Sequence, residues 1–228
     1  NASALDSALE FVNLYAQHCS GATSSENASK IAASLLKGSG LSSTRQSTLN
    51  FSKELMLKLM EVGADGPASI HSVVEILLKQ GVTARKPKVV VTSAELVMEA
   101  ALSFGAANLP ISSVVSSAPK MLSHANPNVR EAGMNIIAEI CRALGSKSPL
   151  QAVIDKLKSS QLAQLDSLLE ENSLPTVPKI GLRCQKNATA SSPEEMLAAL
   201  EASRREEEAK RLANRPAINI IQALQKTD

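Results

Sequence analysis

The sequence predicts an all-α fold in which antiparallel helix pairs stack into a solenoid, and three observations lead to this prediction. Hydrophobic residues make up 44% of the 228 residues but aromatic residues only 2%, and a composition dominated by Ala, Leu and Ser favours helix packed on helix over sandwiches and barrels. Apolar residues recur at helical spacing almost everywhere up to residue 172, while strand-like alternation is nearly absent. Helix starts also recur with a period of about 40 residues.

The breaks between the apolar stripes contain the residues that start helices, in which a side-chain oxygen accepts a bond from an orphan backbone N–H group. Capping boxes are predicted at Ser43–Gln46, Ser148–Gln151 and Ser192–Glu195. Asn126 fits a cap that is followed by Pro127 in the first helical position, where the missing N–H is harmless. The predicted helices span residues 3–19, 25–37, 43–62, 67–80, 88–104, 109–123, 127–144, 148–157 and 160–172.

These helices come in pairs. The second members of successive pairs begin near residues 44, 88 and 127, and this spacing matches the antiparallel helix pairs of HEAT or armadillo arrays. A four-helix bundle would give similar stripes, but many short helices with a repeat-like period fit a stacked solenoid better.

The composition changes after residue 172. Residues 173–192 contain prolines and glycine close together and then a stretch rich in Ser, Thr and Ala, which is typical of an extended linker or of a segment lying on the solenoid. Residues 193–228 are expected to form an inter-domain connector made of a charged helix and a short apolar helix. The sequence therefore predicts a helical domain at 1–172, a linker at 173–192 and a connector at 193–228.

The sequence offers little catalytic or metal-binding chemistry. Patterns such as HExxH, GxSxG, GxGxxG and GxxxxGK[ST] do not occur, and no histidine lies at ligand spacing from a cysteine. Three cysteines are an odd number without CxxC spacing, which excludes a complete disulfide framework and favours a reducing, cytosolic setting. Cys141 falls on an apolar stripe and is interpreted as a small buried residue rather than a nucleophile. We therefore expect no enzyme activity, no cofactor and no metal site.

Charge and hydropathy also limit the partners. The chain has 24 basic and 22 acidic residues, for a net charge of +2, so no field that binds nucleic acid nonspecifically covers the whole molecule. No apolar run approaches the roughly 18 residues of a membrane span. Nucleic acid is therefore not favoured, a membrane is not expected, and any basic site must be local.

The turns inside each helix pair are the most informative surface. In a solenoid these turns line up along one edge, so loops that are distant in sequence become neighbours. Three of the turns carry side-chain donors and together predict a basic ridge. Cations on one edge of a nearly neutral molecule point to an acidic protein partner, while surface cations that serve solubility alone are the more common case. The donors are Arg45, then Arg85, Lys86 and Lys88, and then Asn126, Asn128 and Arg130.

The order of motifs resembles that of a known family. Residues 3–172 resemble the later two-thirds of a TOG domain, the HEAT-repeat tubulin-binding module of chTOG-type microtubule polymerases. Pro119 interrupts a predicted helix where the family has a proline, and because an interior proline costs roughly 3 kcal/mol we expect a kink there. The matching motifs are Arg85-Lys-Pro-Lys-Val-Val, Ala118-Pro-Lys-Met-Leu, Asn126-Pro-Asn-Val-Arg-Glu, Pro149-Leu-Gln and Leu168-Leu-Glu-Glu.

The resemblance implies a first TOG domain that lacks its N-terminal repeats and is followed by the linker to a second. Family domains that bind free tubulin strongly carry a tryptophan in the first intra-repeat turn, whereas this sequence has none. The positions that match the family's tubulin-facing edge are Arg45, Lys86, Lys88, Asn126, Asn128 and Arg130. Arg130 is the strongest candidate, because tubulin is acidic and a guanidinium can bind a carboxylate with two parallel hydrogen bonds.

The implied function is that of a non-enzymatic module that docks αβ-tubulin on this edge and promotes microtubule polymerisation and spindle organisation. Further TOG domains are expected in the same protein. The expected location is the cytoplasm, at microtubules and their plus ends, the spindle and the microtubule-organising centre. The alternative is a HEAT or armadillo scaffold, or a transport-type solenoid, that binds a different protein. The concave grooves in which such solenoids bind extended peptides usually need ladders of Asn and Trp. Binding of nucleic acid through the ridge is disfavoured by the balanced charge and the lack of stacking aromatics.

Overall fold

Helices fill most of the part of the chain that the computed structural model describes, namely residues 2–18, 23–38, 40–61, 67–172, 174 and 176–180. No strand occurs among these residues. They all belong to one compact unit, which comprises residues 1–186. The predicted charged helix and the short apolar helix of the connector lie outside the described residues.

The observed helices follow the predicted order closely. Each predicted pair is present, α4 continues directly into a π-helical turn, and short 3₁₀ turns precede α6 and α8. The α-helices are α1 (Ala2–His18), α2 (Ser25–Lys37), α3 (Gln46–Glu61), α4 (Pro67–Ile76), α5 (Pro87–Phe104), α6 (Ile111–Leu122), α7 (Pro127–Leu144), α8 (Gln151–Ile154) and α9 (Ser159–Glu171). The π turn is Leu77–Gly81, and the 3₁₀ turns are Ala106–Asn108 and Ser148–Leu150.

The helices form two layers. Each odd-numbered helix packs on the next one, from α1 through α9. In the other layer α2 packs on α4, and α6 packs on both the π turn and α8. Side-chain hydrogen bonds between neighbouring repeats join residues that are 38 to 45 positions apart, as in Asn13 to the Phe51 carbonyl and Lys88 to the Ser43 carbonyl. The predicted solenoid with a period of about 40 residues is therefore confirmed.

The core lies between the two layers. Ile136, Ile137 and Ile140 on α7 are fully buried, and the side chain of Cys141 beside them is 4% exposed. Cys141 is a free cysteine, and burial raises the pKa of its thiol. A thiol in this state is a poor nucleophile, so the interpretation of Cys141 as a small core residue is confirmed.

Of the predicted capping motifs in the described residues, one is confirmed and two are wrong, while the capping box predicted at Ser192–Glu195 lies outside the described residues. The Asn126 side chain caps α7 by accepting a bond from the Asn128 N–H group, with Pro127 in the first turn. Helix α3 begins at Gln46 rather than at residue 43, because the Ser43 hydroxyl instead accepts the Arg45 N–H group and closes a turn ahead of the helix.

The capping box predicted at Ser148 is also absent. The Ser148 N–H group donates to the Ser146 hydroxyl, and a 3₁₀ turn follows. The Gln151 side chain donates forward to Asp155 instead of reaching back. As a result α8 is a single turn that ends at Ile154, and the helix predicted at 148–157 is wrong beyond that residue.

Pro119 lies inside α6, which continues as a helix to Leu122. At the end of this helix the Pro119 carbonyl accepts both the N–H and the hydroxyl of Ser123. The kink at Pro119 stays a prediction.

A buried ion pair within α7 also holds the end of α9 through hydrogen bonds from its arginine. Arg142 Nη1 lies 2.6 Å from Glu139 Oε1, and each side chain is 7% exposed. The same guanidinium donates to the Leu168 and Asn172 carbonyls over 2.5 and 2.7 Å. Both carbonyls are at the C-terminal end of α9, so Arg142 satisfies acceptors that the helix itself leaves open.

The residues after α9, at positions 174 and 176–180, form a strap that is bonded to the C-terminal halves of α7 and α5. The Thr176 hydroxyl and N–H donate to the two oxygens of Glu139 over 2.7 and 3.3 Å. Farther along, the Ile180 N–H donates to the Ser103 carbonyl at the end of α5 over 2.9 Å. The strap therefore runs back from the last repeat to an earlier one.

Candidate functional site

The candidate site is the edge of the solenoid at which α3, α5, α7 and α9 begin. Four turns lead into these helices, at residues 40–45, 82–86, 123–126 and 155–158. Because the odd-numbered helices lie side by side in one layer, their N-termini and these turns lie along a single edge. We call this surface the turn edge.

The structure brings the first two of these turns together. Lys86 Nζ lies 3.3 Å from the Ser42 hydroxyl, and Lys88 donates to the Ser43 carbonyl. Both lysines are exposed. These contacts hold neighbouring repeats in register and keep two ammonium groups at the surface, which is the arrangement that the sequence predicts for turns one repeat apart.

Arg45 is the predicted site residue that is most committed to a contact within the chain. Its Nε lies 2.9 Å from Asp6 Oδ2 on α1, and about half of the arginine side chain is exposed. Asp6 also accepts bonds from the Thr48 and Ser47 hydroxyls, and these bonds together with the Arg45 charge lower the pKa of Asp6. Arg45 thus joins α1 to α3 and has part of its charge neutralised.

The third turn is held by Arg130. Its Nη1 donates to the His124 and Ala125 carbonyls over 2.7 and 2.8 Å. Within the same turn the Asn126 N–H donates to His124 Nδ1, and Asn126 caps α7 as described above. Asn128 is exposed. Arg130 therefore organises its own turn while Nε and Nη2 keep donors for an outside acceptor.

Uncompensated positive charge concentrates on the turn edge. In the part of the chain that the structure describes, most cations elsewhere are paired with a carboxylate, as are Lys53 with Glu95 and Lys147 with Asp166. The cations of the turn edge that have no carboxylate within 4.0 Å among the described residues are Arg85, Lys86, Lys88, Arg130, Lys156 and Lys158. This edge can accept carboxylates from outside without breaking an existing pair.

Three of these cations were not among the predicted site residues. Arg85 is in the predicted ridge but is not one of the positions carried over from the resemblance. Lys156 was missed because residues 148–157 were interpreted as one helix, whereas α8 ends at Ile154. Lys158 falls between the helices predicted at 148–157 and 160–172 and was not assigned to the ridge, although both lysines belong to the fourth turn. The basic pair on either side of Leu157 is the sequence signal that could have identified them.

The described residues contain no group of three or more His, Cys, Asp or Glu side chains that could hold a metal ion. Among those same residues, every helix is too short or too polar to cross a lipid bilayer.

A family model decides the relationship of this chain to known proteins. The model is described as XMAP215/Dis1/CLASP, TOG domain, and it matches residues 1–169. The chain belongs to this family. The TOG match ends within α9, and it includes the four turns of the turn edge.

Two curated relatives of this TOG domain are much longer than the chain. Spindle pole body component alp14 of Schizosaccharomyces pombe is 29% identical over 153 residues, which cover 67% of this chain and 18% of that protein. Protein MOR1 of Oryza sativa subsp. japonica is 24% identical over 110 residues, which cover 48% of this chain and 6% of that protein. The chain thus spans less than a fifth of the length of either relative.

The fold is also that of a solved TOG structure. That structure comes from work on tubulin recruitment and assembly by microtubule polymerases with tumor overexpressed gene (TOG) domain arrays. The two structures superpose with a TM-score of 0.69 at 21% identity, and the match covers 95% of this chain and 41% of the solved chain. The all-α solenoid is therefore shared with an experimentally determined TOG array.

Proposed function

We propose that this TOG domain is a non-enzymatic tubulin-binding module of a microtubule-associated regulator, and that αβ-tubulin docks on the turn edge. One observation carries the proposal: six cations of this edge lack carboxylate partners among the described residues, in a domain whose family includes microtubule polymerases. An acidic partner would supply the missing carboxylates, and steering by complementary charge would raise the association rate.

The proposed contacts differ in kind along the edge. Arg85, Lys86 and Lys88 are exposed and act as docking cations. Arg130 binds a carboxylate through the donors that its turn does not use. Asn126 and Asn128 contribute amide groups beside it, and Arg45 contributes less because of its pair with Asp6.

The wider setting is part of the same proposal. Residues 1–172 form the docking domain, residues 173–192 a linker and residues 193–228 a connector to a further TOG domain. Several such domains in one protein would add their weak contacts through effective concentration. The protein would act in the cytoplasm at microtubules and the spindle, where it would promote polymerisation.

The test is binding to unpolymerised αβ-tubulin, measured by size-exclusion chromatography and by sedimentation at low and moderate salt. The main variant is Arg85→Ala with Lys86→Ala, because Arg85 makes no ion pair among the described residues and the Lys86 contact is a long one. Loss of two exposed cations should weaken binding about tenfold, and added salt should reduce the difference.

The control variant is Lys30→Ala with Lys179→Ala, which removes the same charge away from the turn edge. Lys30 is in an exposed pair with Glu26 on α2, and Lys179 lies in the strap. Equal weakening by the control would show a net-charge effect and contradict docking at this edge. Absence of tubulin binding in the parent protein would favour the alternative, a HEAT scaffold for a different protein.

Arg130→Ala alone does not test the role of Arg130, because it also removes the bonds to the His124 and Ala125 carbonyls and is therefore a structural change. Arg130→Lys keeps the charge but not the planar fork of donors. If Arg130 binds tubulin in a bidentate manner, Arg130→Lys should weaken binding while the melting temperature stays close to that of the parent.

A further inference from the structure

A groove with a volume of about 910 Å³ opens between the last two turns of the turn edge. One wall is the turn before α7 and the first residues of that helix, and the other is the turn before α9. The groove is lined by Arg130, which is also a proposed tubulin contact, and by residues that are not among those contacts. The groove is large enough to hold several residues of an extended chain.

The two walls are fixed relative to each other by Gln161. Its Oε1 accepts the Lys158 N–H group and its Nε2 donates to the Leu122 carbonyl at the end of α6, each over 3.1 Å. A single amide therefore joins the start of α9 to the end of α6. Because both bonds are made within the chain, the fold itself holds the two walls in place, which lowers the entropy that binding must overcome.

The base of the groove is apolar. Leu122, Met134 and Val153 line it and are at most 5% exposed, while Leu157 is partly exposed beside them. An aliphatic side chain placed on this base would be removed from water, which is favourable.

The upper part of the groove is cationic. Arg130, Lys156 and Lys158 line it, and Glu131 is the single acidic residue among its lining. None of the three cations has a carboxylate within 4.0 Å among the described residues. The lining contains no Phe, Tyr or Trp on which a base could stack, so carboxylates fit better than a nucleic acid.

We propose that this groove binds an extended acidic peptide, with an aliphatic side chain on the base between α6 and α8 and flanking carboxylates on Arg130, Lys156 and Lys158. Gln164 is exposed on the α9 wall and can bond the peptide backbone. The inference goes beyond docking at Arg85, Lys86 and Lys88 and does not depend on it, because it requires only these side chains and no tubulin.

The test uses a fluorescein-labelled Glu-Glu-Leu-Glu-Glu peptide and the full chain, with binding followed by fluorescence anisotropy. Lys156→Ala with Lys158→Ala should weaken binding about five- to tenfold. Replacement of the four glutamates by glutamine should abolish binding, and replacement of the central leucine by glycine should weaken it. Circular dichroism should show unchanged helix content in the double variant, since both lysines are exposed.

The matched control is again Lys30→Ala with Lys179→Ala. Equal weakening by this control, equal binding of the glutamine peptide, or no binding of the acidic peptide at millimolar concentration would each overturn the proposal. Tighter binding of a single-stranded oligonucleotide of the same length would overturn it as well. The Arg85→Ala, Lys86→Ala variant should keep full peptide affinity, so failure of the tubulin proposal and failure of this one give different results.

Discussion

Substitution of Arg142 by methionine should be among the most damaging single changes in this domain. The guanidinium is 7% exposed, pairs with Glu139 over 2.6 Å and donates to two carbonyls at the end of α9. Methionine fills much of the same space but leaves the Glu139 carboxylate buried without its cation. Removal of one partner of a buried pair typically destabilises a protein by about 3 to 5 kcal/mol.

The lower end of this range applies, because the Thr176 hydroxyl and N–H still donate to Glu139 in the variant. A loss of about 3 kcal/mol corresponds to a fall in melting temperature of about 6 to 12 °C for a domain of this size. Urea unfolding should show a lower midpoint with little change in slope. Adding Glu139→Gln should recover part of the loss, because the uncompensated charge is then removed.

Lys147→Met provides the comparison. Lys147, in the segment between α7 and the following 3₁₀ turn, forms an ion pair with Asp166 on α9 at 2.7 Å, but the two side chains are 47% and 53% exposed. An exposed pair contributes about 0 to 1 kcal/mol. If Arg142→Met destabilised the domain no more than Lys147→Met does, the reasoning about burial would be refuted.

Two further predictions concern pH and packing. Bonds from Thr48 and Ser47 and the Arg45 charge keep the folded pKa of Asp6 below its ordinary value. The stabilisation by Asp6 is therefore complete above about pH 4 and is lost as the pH falls through the folded pKa. The difference in melting temperature between the parent and Asp6→Asn should shrink from pH 6 to pH 3, and a constant difference would contradict the assignment. A Cβ at Gly81 would lie 2.2 Å from the Ser93 hydroxyl oxygen. Gly81→Ala should therefore lower the free energy of unfolding by about 1 to 3 kcal/mol, as measured by urea unfolding. If this contact is the cause, adding Ser93→Gly should restore most of the lost stability.

The sequence predicted those parts of the fold that depend on neighbours along the chain. Apolar spacing located the helices, and Asn126 followed by Pro127 located the start of α7, because a cap and a fixed φ angle act within one turn. The same local logic failed at Ser43 and Ser148. A serine hydroxyl can bond the backbone two residues on as easily as it caps a helix, and the choice is made by packing.

The site was predicted in outline and not in its pairings. The period alone predicts that turns one repeat apart meet at one edge, and Lys86 and Lys88 lie where the period places them. The pairing of Arg45 with Asp6 joins residues 39 positions apart, and the groove beside Lys156 depends on the early end of α8. Such contacts are set by tertiary packing, which the spacing of residue types does not record.

The strap determines where mechanical load would enter the domain. A pull applied beyond Ile180 would reach α5 first, through the bond to the Ser103 carbonyl, and then α7 through Thr176 and Glu139. Tension would therefore be distributed over three repeats instead of peeling α9 away from the end of the stack. Because the strap is bonded to the C-terminal halves of α5 and α7, the point of attachment lies away from the turn edge, and a domain held by the strap could carry force while the cations of the turn edge stay accessible.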